Sequence, residues 1–257
     1  MENISFTRNS EDVMLNRALA SVRNGFYLDV GAYHPVVDSN TYAFYRRGWR
    51  GIAIEPQGDF QELWALQRPL DLLLNTAAGS FNGETTFFET DIQDQNATIS
   101  PEIAALHRRE GRHLRERTVP VVTLDHVLET QRPIGEIHCL SIDVEGAEKA
   151  VLQGLDRNRF RPWLIIVEST VPNRPEPNYQ SWEPLLLETG YEFAYFDAVN
   201  RFYVSREHAD LKAHFNFPPC VWDGFIDHRL LRAIEDADKA KAELARLKQQ
   251  LRSLSEA

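Results

Sequence analysis

One short stretch near the start of the chain restricts the fold more than any other. Residues 26–32 read Phe-Tyr-Leu-Asp-Val-Gly-Ala, an apolar run that contains Asp29 and closes on Gly31. Such a run is typical of a buried strand that turns sharply into a loop, where glycine lets a ligand approach the backbone. We therefore expect the chain to be organised as a sheet built beside this strand.

A second apolar run, residues 51–54, is followed by Glu55 and Pro56, and the acid stands 24 positions after Gly31. In a doubly wound fold, an acidic residue at the end of the second strand accepts hydrogen bonds from a ribose. The two runs together predict a cofactor that contains adenosine. Residues 32–36 contain no glycine, whereas a dinucleotide site needs the full Gly-x-Gly-x-x-Gly fingerprint. A phosphate-free cofactor therefore fits better, and an NAD-dependent sugar oxidoreductase is disfavoured.

Further apolar runs alternate with amphipathic segments over the first 205 residues. This alternation predicts a doubly wound α/β domain of seven strands, because helices that alternate with strands cover a mostly parallel sheet. The predicted strands cover residues 26–30, 51–54, 70–78, 138–143, 163–169, 191–196 and 202–204, the last two as an antiparallel pair.

The segment between the third and fourth of these strands is less regular. Residues 85–88 predict an extra strand, and residues 91–100 predict a polar loop that lies over the site. Residues 101–117 predict a charged helix or lid, whose arginines form a solvated face or gate the substrate. Residues 119–122 predict an edge strand, because Pro120 has no N–H to donate to a neighbouring strand.

The net charge limits the kinds of partner that the chain can bind, and the cysteine content indicates the cellular compartment. The 257 residues carry a formal net charge of -10, which argues against nucleic acid or an anionic membrane surface as the main partner. The two cysteines, Cys139 and Cys220, cannot form a disulfide framework and fit a reducing compartment; Cys139 is expected in the core. No signal peptide opens the chain, and no apolar run approaches about 18 residues, so we expect a soluble, cytoplasmic protein.

The pattern changes after residue 205. Residues 206–228 form an aromatic-rich connecting segment, for which core packing is favoured over contact with a partner. In residues 229–257, apolar and small residues alternate spacings of three and four, which predicts a coiled-coil helix and a homo-oligomer of two or three strands. A single helix packed back on the domain is the alternative. The seam consists of Leu230, Ala233, Ala237, Ala240, Leu244, Leu247, Leu251 and Leu254.

Four segments in this order resemble the FkbM family of S-adenosylmethionine-dependent methyltransferases. Any one of them is a weak signal, but four in order with matching spacing are specific. The resemblance covers residues 10–205 and implies a Rossmann-like, seven-stranded class I methyltransferase fold in a domain of residues 1–205, with the coiled-coil helix outside it. The segments are 28–32 (Leu-Asp-Val-Gly-Ala), 39–41 (Ser-Asn-Thr), 48–56 (Gly-Trp-Arg-Gly-Ile-Ala-Ile-Glu-Pro) and 142–148 (Ile-Asp-Val-Glu-Gly-Ala-Glu).

The resemblance also implies S-adenosylmethionine as methyl donor and places its contacts. Asp29 and Gly31 would line the methionine end, and Glu55 would hold the ribose hydroxyls. The small residues 77–79 leave room for a flat ring against the backbone. The expected cofactor-binding residues are Asp29, Gly31, Ala32, Asn40, Glu55, Pro56, Ala78 and Asp143.

The reaction requires an oxygen to attack a sulfonium methyl group, and an alcohol is a poor nucleophile without a general base or a metal. Asp143 and Glu168 end neighbouring predicted strands, and Glu145 is close by. We expect Asp143, Glu145 or His34 to act in catalysis, although a backbone-bonded histidine is as consistent with the sequence. Asp143 and Glu168 are the candidate ligands for Mg²⁺ or another divalent cation, unless one of these acids caps the next helix. Glu148 is expected at a helix N-terminus.

The activity that follows is O-methylation of a sugar hydroxyl, in the synthesis of a surface polysaccharide such as an O-antigen. Trp182, Tyr179 and Arg112 are candidate sugar contacts. A glycosyltransferase, fused or bound, is the expected partner, and such a complex would hold the chain at the periphery of the inner membrane. The alternative is a catalytically inactive methyltransferase fold that serves as a coiled-coil scaffold for a glycan-assembly enzyme. Acids at three strand ends argue against that alternative.

Overall fold

The computed structural model describes residues 3–90, 95–131 and 135–255. The strands are β1 (Asn3–Ser5), β2 (Phe26–Val30), β3 (Arg50–Ile54), β4 (Leu72–Leu74), β5 (Ala77–Ala78), β6 (Gly83–Glu89), β7 (Arg115–Val122), β8 (Cys139–Ile142), β9 (Leu164–Glu168), β10 (Tyr191–Phe196), β11 (Asn200–Ser205) and β12 (Phe225–Asp227). The α-helices are α1 (Glu11–Ala18), α2 (Tyr42–Arg46), α3 (Gln61–Gln67), α4 (Pro101–Arg109), α5 (Leu124–Gln131), α6 (Glu148–Gln153), α7 (Glu183–Leu187) and α8 (His228–Ser255). Short 3-10 helices cover Gly58–Phe60, Tyr179–Ser181, Arg206–Phe215 and Val221–Asp223.

A central, mostly parallel sheet organises this mixed α/β structure. Its strand order is β10-β11-β9-β8-β2-β3-β4. Strands β2, β3, β4, β8 and β9 are parallel, and the antiparallel strands β11 and β10 extend one edge. The apolar run that contains Asp29 is β2, which lies inside the sheet between β8 and β3. Parallel strands place their carboxyl ends at one edge of the sheet, and this determines where a site can form.

Both faces of the central sheet are covered, as expected for parallel strands that are apolar along their length. On one face, side chains such as Leu28 and Leu140 pack against α5, α6 and α7. On the other face, Tyr27 and Cys139 pack against α1, α2 and the segment 206–215. Because successive residues of a strand point to opposite faces, β2 and β8 contribute to both cores. Cys139 is a core residue, as predicted.

The predicted third strand, residues 70–78, is wrong in its extent. The chain forms β4 in the central sheet and then β5 in a second sheet of three strands, in the order β5-β7-β6. Polar bonds hold the two residues between these strands. Asn75 Nδ2 donates to the carbonyl oxygens of Glu55 and Pro56, and the Thr76 hydroxyl donates to a carbonyl of β7. These bonds fix the point at which the chain changes from one sheet to the other.

The helix predicted over residues 101–117 is shorter, and the edge strand after it is wrong. Helix α4 ends at Arg109, and β7 begins at Arg115 and runs through the middle of the three-stranded sheet. Pro120 is accommodated because β7 pairs with only two residues of β5, starting at Val121. Beside that short strand, the carbonyl of Pro120 accepts a hydrogen bond from the Thr76 hydroxyl at 2.7 Å.

The aromatic-rich segment after residue 205 divides into a packed and an exposed part. Phe215 is 2% exposed and its ring centroid lies 5.5 Å from that of Phe202. Trp222 is 89% exposed, so core packing holds only for part of the segment. Strand β12 pairs in parallel with β1, which ties this segment to the N-terminal residues.

The C-terminal helix α8 is one continuous helix of 28 residues. Every residue from 232 to 250 is exposed, so the alternative of a helix packed back on the domain is wrong over this range. The coiled coil stays a prediction, as does the division into residues 1–205, 206–228 and 229–257. Among the residues that the structure describes, no helix has both the length and the apolar character that a bilayer crossing requires.

Candidate active site

A cavity of about 490 Å³ lies at the edge of the central sheet where the parallel strands end. In the sheet register, Val30 at the end of β2 pairs with Ile54 of β3 and Ile142 of β8. The residues that follow these three strands therefore surround one space, as the strand-end rule for open α/β sheets predicts. All eight residues predicted to bind the cofactor line this cavity: Asp29, Gly31, Ala32, Asn40, Glu55, Pro56, Ala78 and Asp143.

The turn after β2 requires glycine. Gly31 has a φ of 78°, and a Cβ at this position would lie 1.6 Å from the carbonyl oxygen of Asp143. The Gly31 N–H donates to the carbonyl of Ile54 at 2.9 Å, and the Asp143 N–H donates to that of Val30 at 2.9 Å. The loop after β2 thus runs against the loop after β8 with no room for a side chain. This contact fixes the two strand ends relative to each other.

A buried polar network holds Asp29 from behind, and sequence reasoning missed it. The carboxylate of Asp29 accepts a hydrogen bond from the Thr41 hydroxyl, which in turn accepts one from Arg68 at 2.9 Å. Arg68 forms a salt bridge to Asp71 at 2.7 Å, and both of these side chains are fully buried. Arg68 also donates to the hydroxyl of Tyr27 at 2.7 Å. Burial raises the pKa of Asp29, and the nearby charge of Arg68 opposes that rise.

Glu55 directly follows β3, and its side chain connects the loop after β2 with the loop after β3. Its Oε2 accepts the N–H of Tyr33 at 2.7 Å, and its Oε1 accepts the N–H of Gln57 at 2.7 Å. Burial raises the pKa of Glu55 to about 7, and the two backbone donors oppose the rise. Each carboxylate oxygen has a further lone pair, so Glu55 can still accept hydrogen bonds from hydroxyl groups in the cavity.

Asp143, Glu145 and Glu168 form a carboxylate cluster at the ends of β8 and β9. One carboxylate oxygen of each lies within 4.8 Å of the other two. Oε2 of Glu145 and Oε2 of Glu168 are buried and have no hydrogen-bond partner among the described residues. These orphaned oxygens are the observation that fits a hard cation, because Mg²⁺ and Ca²⁺ take oxygen ligands.

The cluster also determines where protons lie. Burial, with the charge of Asp143 added, raises the pKa of Glu168 and of Glu145 well above the ordinary range. The surrounding protein atoms raise the pKa of Asp143 to about 6 by desolvation, although its side chain is exposed at the cavity surface, and a hydrogen bond from Glu168 opposes that rise. Three adjacent carboxylates repel one another when all are ionised. Without a cation, Glu168 therefore keeps its proton at neutral pH, and Asp143 is the ionised member of the cluster.

Glu148 stabilises the turn that connects β8 to α6. It is the first residue of α6, as predicted, and its Oε1 accepts the N–H of Gly146 at 2.9 Å. Glu145 has a φ of 53° and Gly146 a φ of 94°, so two consecutive residues adopt the left-handed conformation. This conformation is unusual for a glutamate, and strained residues of this kind concentrate at functional sites.

The structure separates His34 from the carboxylate cluster. His34 is not among the described residues that line the cavity. Its Nδ1 accepts the N–H of Val36 at 3.0 Å and that of Val37 at 2.9 Å. Burial lowers its pKa. This geometry corresponds to the backbone-bonded alternative, so of the three predicted catalytic residues the structure brings Asp143 and Glu145 to the cavity.

Comparison with known families establishes the class of this site. The sequence model described as the methyltransferase FkbM domain matches residues 29–193. The chain belongs to the FkbM methyltransferase family. The match starts at Asp29 and includes Glu55, Asp143 and Glu168, which are the acids at the four strand ends. The central, mostly parallel sheet is consistent with a methyltransferase-like fold. No curated protein matches the chain.

One end of this cavity was not predicted from the sequence. Polar side chains from the N-terminal residues and from the loops beside β9 and β11 line it. Asn200 donates to Oε1 of Glu11 at 3.1 Å, although the two residues are 189 positions apart. No local pattern predicts such a contact, because only the tertiary fold brings α1 to the start of β11. The residues at this end are Arg8, Asn9, Glu11, Asn173, Arg174 and Asn200.

The predictions for the acceptor side of the FkbM domain have mixed outcomes. The polar loop predicted over the site is confirmed for residues 95–99, which line the cavity, while residues 91–94 lie outside the described residues. Trp182 is wrong as a sugar contact, because it is 1% exposed and packs in the core. Tyr179 and Arg112 are also not among the described residues that line the cavity.

Glu11 couples the folding stability of the chain to pH. Burial, with the charge of Asp197 added, raises its pKa from 4.5 to about 7. Because the folded state binds this proton more tightly, the stabilisation is complete below pH 4.5 and is lost as the pH rises through about 7. Relative to wild type, the free energy of unfolding of Glu11→Gln should rise by about 2.5 kcal/mol from about pH 5 to about pH 8. Urea unfolding at both pH values measures this difference, and an equal pH dependence in the two proteins would contradict the assignment.

Proposed function

We propose that the chain is an S-adenosylmethionine-dependent O-methyltransferase that acts on a sugar hydroxyl during the synthesis of a surface polysaccharide, such as an O-antigen or a similar glycan. The observation that carries this proposal is one cavity with two kinds of lining. Glycine, alanine and two buried acids line the part beside β2 and β3, and a carboxylate cluster lies directly next to them.

The first part of the cavity fits the methyl donor. Gly31 brings bare backbone to the cavity wall, so the methionine end of S-adenosylmethionine can lie against it. Glu55, with two loops fixed on its carboxylate, accepts hydrogen bonds from the ribose hydroxyls. Ala78 leaves space for the flat adenine ring, and Asn40 is held in place by its bond to the hydroxyl of Ser141 at 3.0 Å.

The carboxylate cluster provides the base. A lone pair of the acceptor oxygen attacks the methyl carbon, the carbon–sulfur bond breaks, and its electron pair stays on sulfur to give S-adenosylhomocysteine. The acceptor proton passes to Asp143, which is ionised while Glu168 keeps its own proton. General-base catalysis of this kind contributes about 10²–10⁴-fold to the rate.

The same residues fit a divalent cation. Asp143, Glu145 and Glu168 would supply oxygen ligands, and the unpartnered oxygens of Glu145 and Glu168 would then be satisfied. When bound, such a cation lowers the pKa of an acceptor hydroxyl and balances the charge of the three acids. The proposed cation is Mg²⁺ or another divalent cation, because carboxylate oxygens are hard ligands and hard cations prefer them.

The opposite end of the cavity supports a hydroxyl-rich acceptor. Its amide and guanidinium groups, from Asn9, Asn173, Asn200 and Arg174, are donors and acceptors of the kind that sugar hydroxyls require. The family resemblance supports a glycan as substrate, with a glycosyltransferase as the partner that supplies it. Peripheral association with the inner membrane would follow from that partner.

Calorimetric titration with S-adenosylmethionine tests the proposal. We expect micromolar binding to the intact chain, weakened at least tenfold in Glu55→Ala, which corresponds to about 1.4 kcal/mol. Glu62→Ala is the matched control, because Glu62 is an exposed residue of the helix that follows Glu55. This control should bind like the wild type.

Failure of the intact, folded chain to bind S-adenosylmethionine would remove the main support for a methyltransferase. The alternative would then come first: an inactive methyltransferase fold that serves as a scaffold through α8. The exposed helix is the observation that favours this second candidate.

A further inference from the structure

Helix α8 leaves the rest of the chain with an apolar stripe uncovered. Leu230, Leu244 and Leu247 are 55%, 53% and 47% exposed, and all residues from 232 to 250 are exposed. A helix of 28 residues is about 42 Å long. Because an isolated helix of mixed composition is marginal in water, packing against another helix is needed to stabilise it. We propose that α8 pairs with α8 of a second copy of this chain as a parallel, two-stranded coiled coil.

The stripe has the width that a two-stranded coil covers. The seam from Leu230 to Leu247 repeats strictly at the first and fourth positions of each heptad, and Leu251 and Leu254 continue the spacing in sequence, their side chains lying outside the described residues. Three alanines, at 233, 237 and 240, permit close approach of the two helices. In the second and third heptads the positions that flank the seam are charged or polar, so the apolar stripe does not widen.

Charge at the flanking positions determines the direction of the partner helix. The seam residues 230, 237 and 244 occupy a positions, and 233, 240 and 247 occupy d positions. Asp236 and Glu243 therefore occupy g positions, and Lys241 and Lys248 occupy e positions. In a parallel coil, each g residue faces the e residue five positions later in the other helix. Asp236 then faces the partner's Lys241, and Glu243 faces the partner's Lys248. Two-fold symmetry repeats both pairs, which gives four attractive contacts.

An antiparallel coil of the same helices would be repulsive. It brings g beside g and e beside e, so Asp236 and Glu243 would meet acids or neutral residues, and the lysines would meet lysines or Ile234. In the fully overlapped alignment, Glu243 faces its own copy and Lys241 faces its own copy. The first heptad carries Arg229 and Ile234 at these positions and gives no preference. The charges therefore select the parallel direction.

The contacts that these charges make within one helix do not compete with pairing. Lys239 lies 3.4 Å from Asp236, Lys241 lies 3.0 Å from Asp238, and an arginine lies 3.7 Å from Glu243. All of these side chains are exposed, and exposed pairs of this type contribute little. They can exchange for contacts across the seam.

A parallel coil places both FkbM domains at the same end. Helix α8 starts at His228, whose ring stacks on Phe6 at 5.3 Å, and β12 directly before it pairs with β1. The start of the coil is therefore attached to the domain rather than joined by a free linker.

Light scattering on the full chain tests self-association. We expect the mass of two chains for wild type and the mass of one chain for Leu244→Asp combined with Leu247→Asp. Lys241→Glu combined with Lys248→Glu should also give one chain, because acids then flank both sides of the seam. Adding Asp236→Lys and Glu243→Lys to that variant restores the parallel pairs and should restore the mass of two chains. A wild-type mass of one chain, or of more than two, would overturn the proposal.

Disulfide formation tests the direction. In a Cys220→Ser background, Leu247→Cys places the new thiol at the seam, where it faces its own copy only in a parallel coil. Mild oxidation should convert most of the chain to a covalent dimer, while Gln249→Cys, on the outer face, should stay uncrosslinked. A wild-type dimer in which Leu247→Cys fails to crosslink would show the antiparallel direction and overturn the inference. Near-ultraviolet circular dichroism reports on the packed aromatic side chains, and residues 229–255 contain no Trp, Tyr or Phe. An unchanged near-ultraviolet spectrum in every variant shows that the rest of the chain is still folded.

Discussion

Replacing Asp143 by Asn should lower the turnover of methyl transfer about 10³-fold, in the middle of the range for loss of a general base. The structure gives the reason. Asp143 directly follows β8 at the cavity, accepts a hydrogen bond from the protonated Glu168, and is the member of the carboxylate cluster that remains ionised. Asparagine keeps the volume but cannot take a proton. Formation of S-adenosylhomocysteine with a panel of simple sugar glycosides measures the effect, and affinity for S-adenosylmethionine should change less than tenfold.

Two variants separate this role from general damage to the site. Glu148→Gln alters a carboxylate buried in the same turn but bonded to Gly146, so it should keep turnover within about tenfold. A drop as large as that of Asp143→Asn would indicate a collapsed loop instead of a lost base. His34→Ala should also remain active. If only His34→Ala loses turnover, while Asp143→Asn and chelator-treated wild type stay active, both the base and the cation assignments are wrong.

Replacing Arg68 by Leu should lower the free energy of unfolding by about 3–5 kcal/mol, which is typical when one partner of a buried ion pair is removed. Asp71 would stay buried with its charge unpaired, although it also accepts hydrogen bonds from Tyr27 and from the N–H of Gly51. The bond from Arg68 to Thr41, and with it the support for Asp29, would be lost as well. For a chain of this size the melting temperature should fall by about 10 °C.

Arg159→Met is the control for Arg68→Leu. Arg159 pairs with Glu129 at the surface, with side chains 57% and 46% exposed. An exposed pair contributes at most about 1 kcal/mol, so this variant should melt within a few degrees of wild type. Equal losses in the two variants would show that burial of the Arg68 pair has no special effect on stability.

The parts of the site that were predictable from sequence are those that follow a strand end directly. Asp29, Gly31, Glu55 and Asp143 each stand at the close of an apolar run, and parallel strands end at a common edge. Local sequence was enough to place them around one cavity. It was also enough to expect Glu168 near Asp143, because both end neighbouring strands.

The parts that were not predictable depend on bonds between distant residues. His34 is as compatible with catalysis as with a backbone contact until its bonds to Val36 and Val37 are seen. Arg68 follows a helix in an ordinary polar stretch, and nothing local indicates that it lies beneath β2. The same holds for the change of sheet between β4 and β5, which depends on Asn75 and Thr76 reaching two different neighbours.

The sequence by itself determined most strands of the central sheet, their alternation with helices, the acids at the strand ends and the heptad seam of α8. These features follow from hydrophobic periodicity and local backbone preference, which act over a few residues. Only the tertiary structure decided which polar side chains are buried together and which oxygens lack a partner. Burial and electrostatics depend on residues far apart in the chain, and they determine that Asp143 is the ionised acid, that Glu11 meets Asn200, and that α8 is left uncovered.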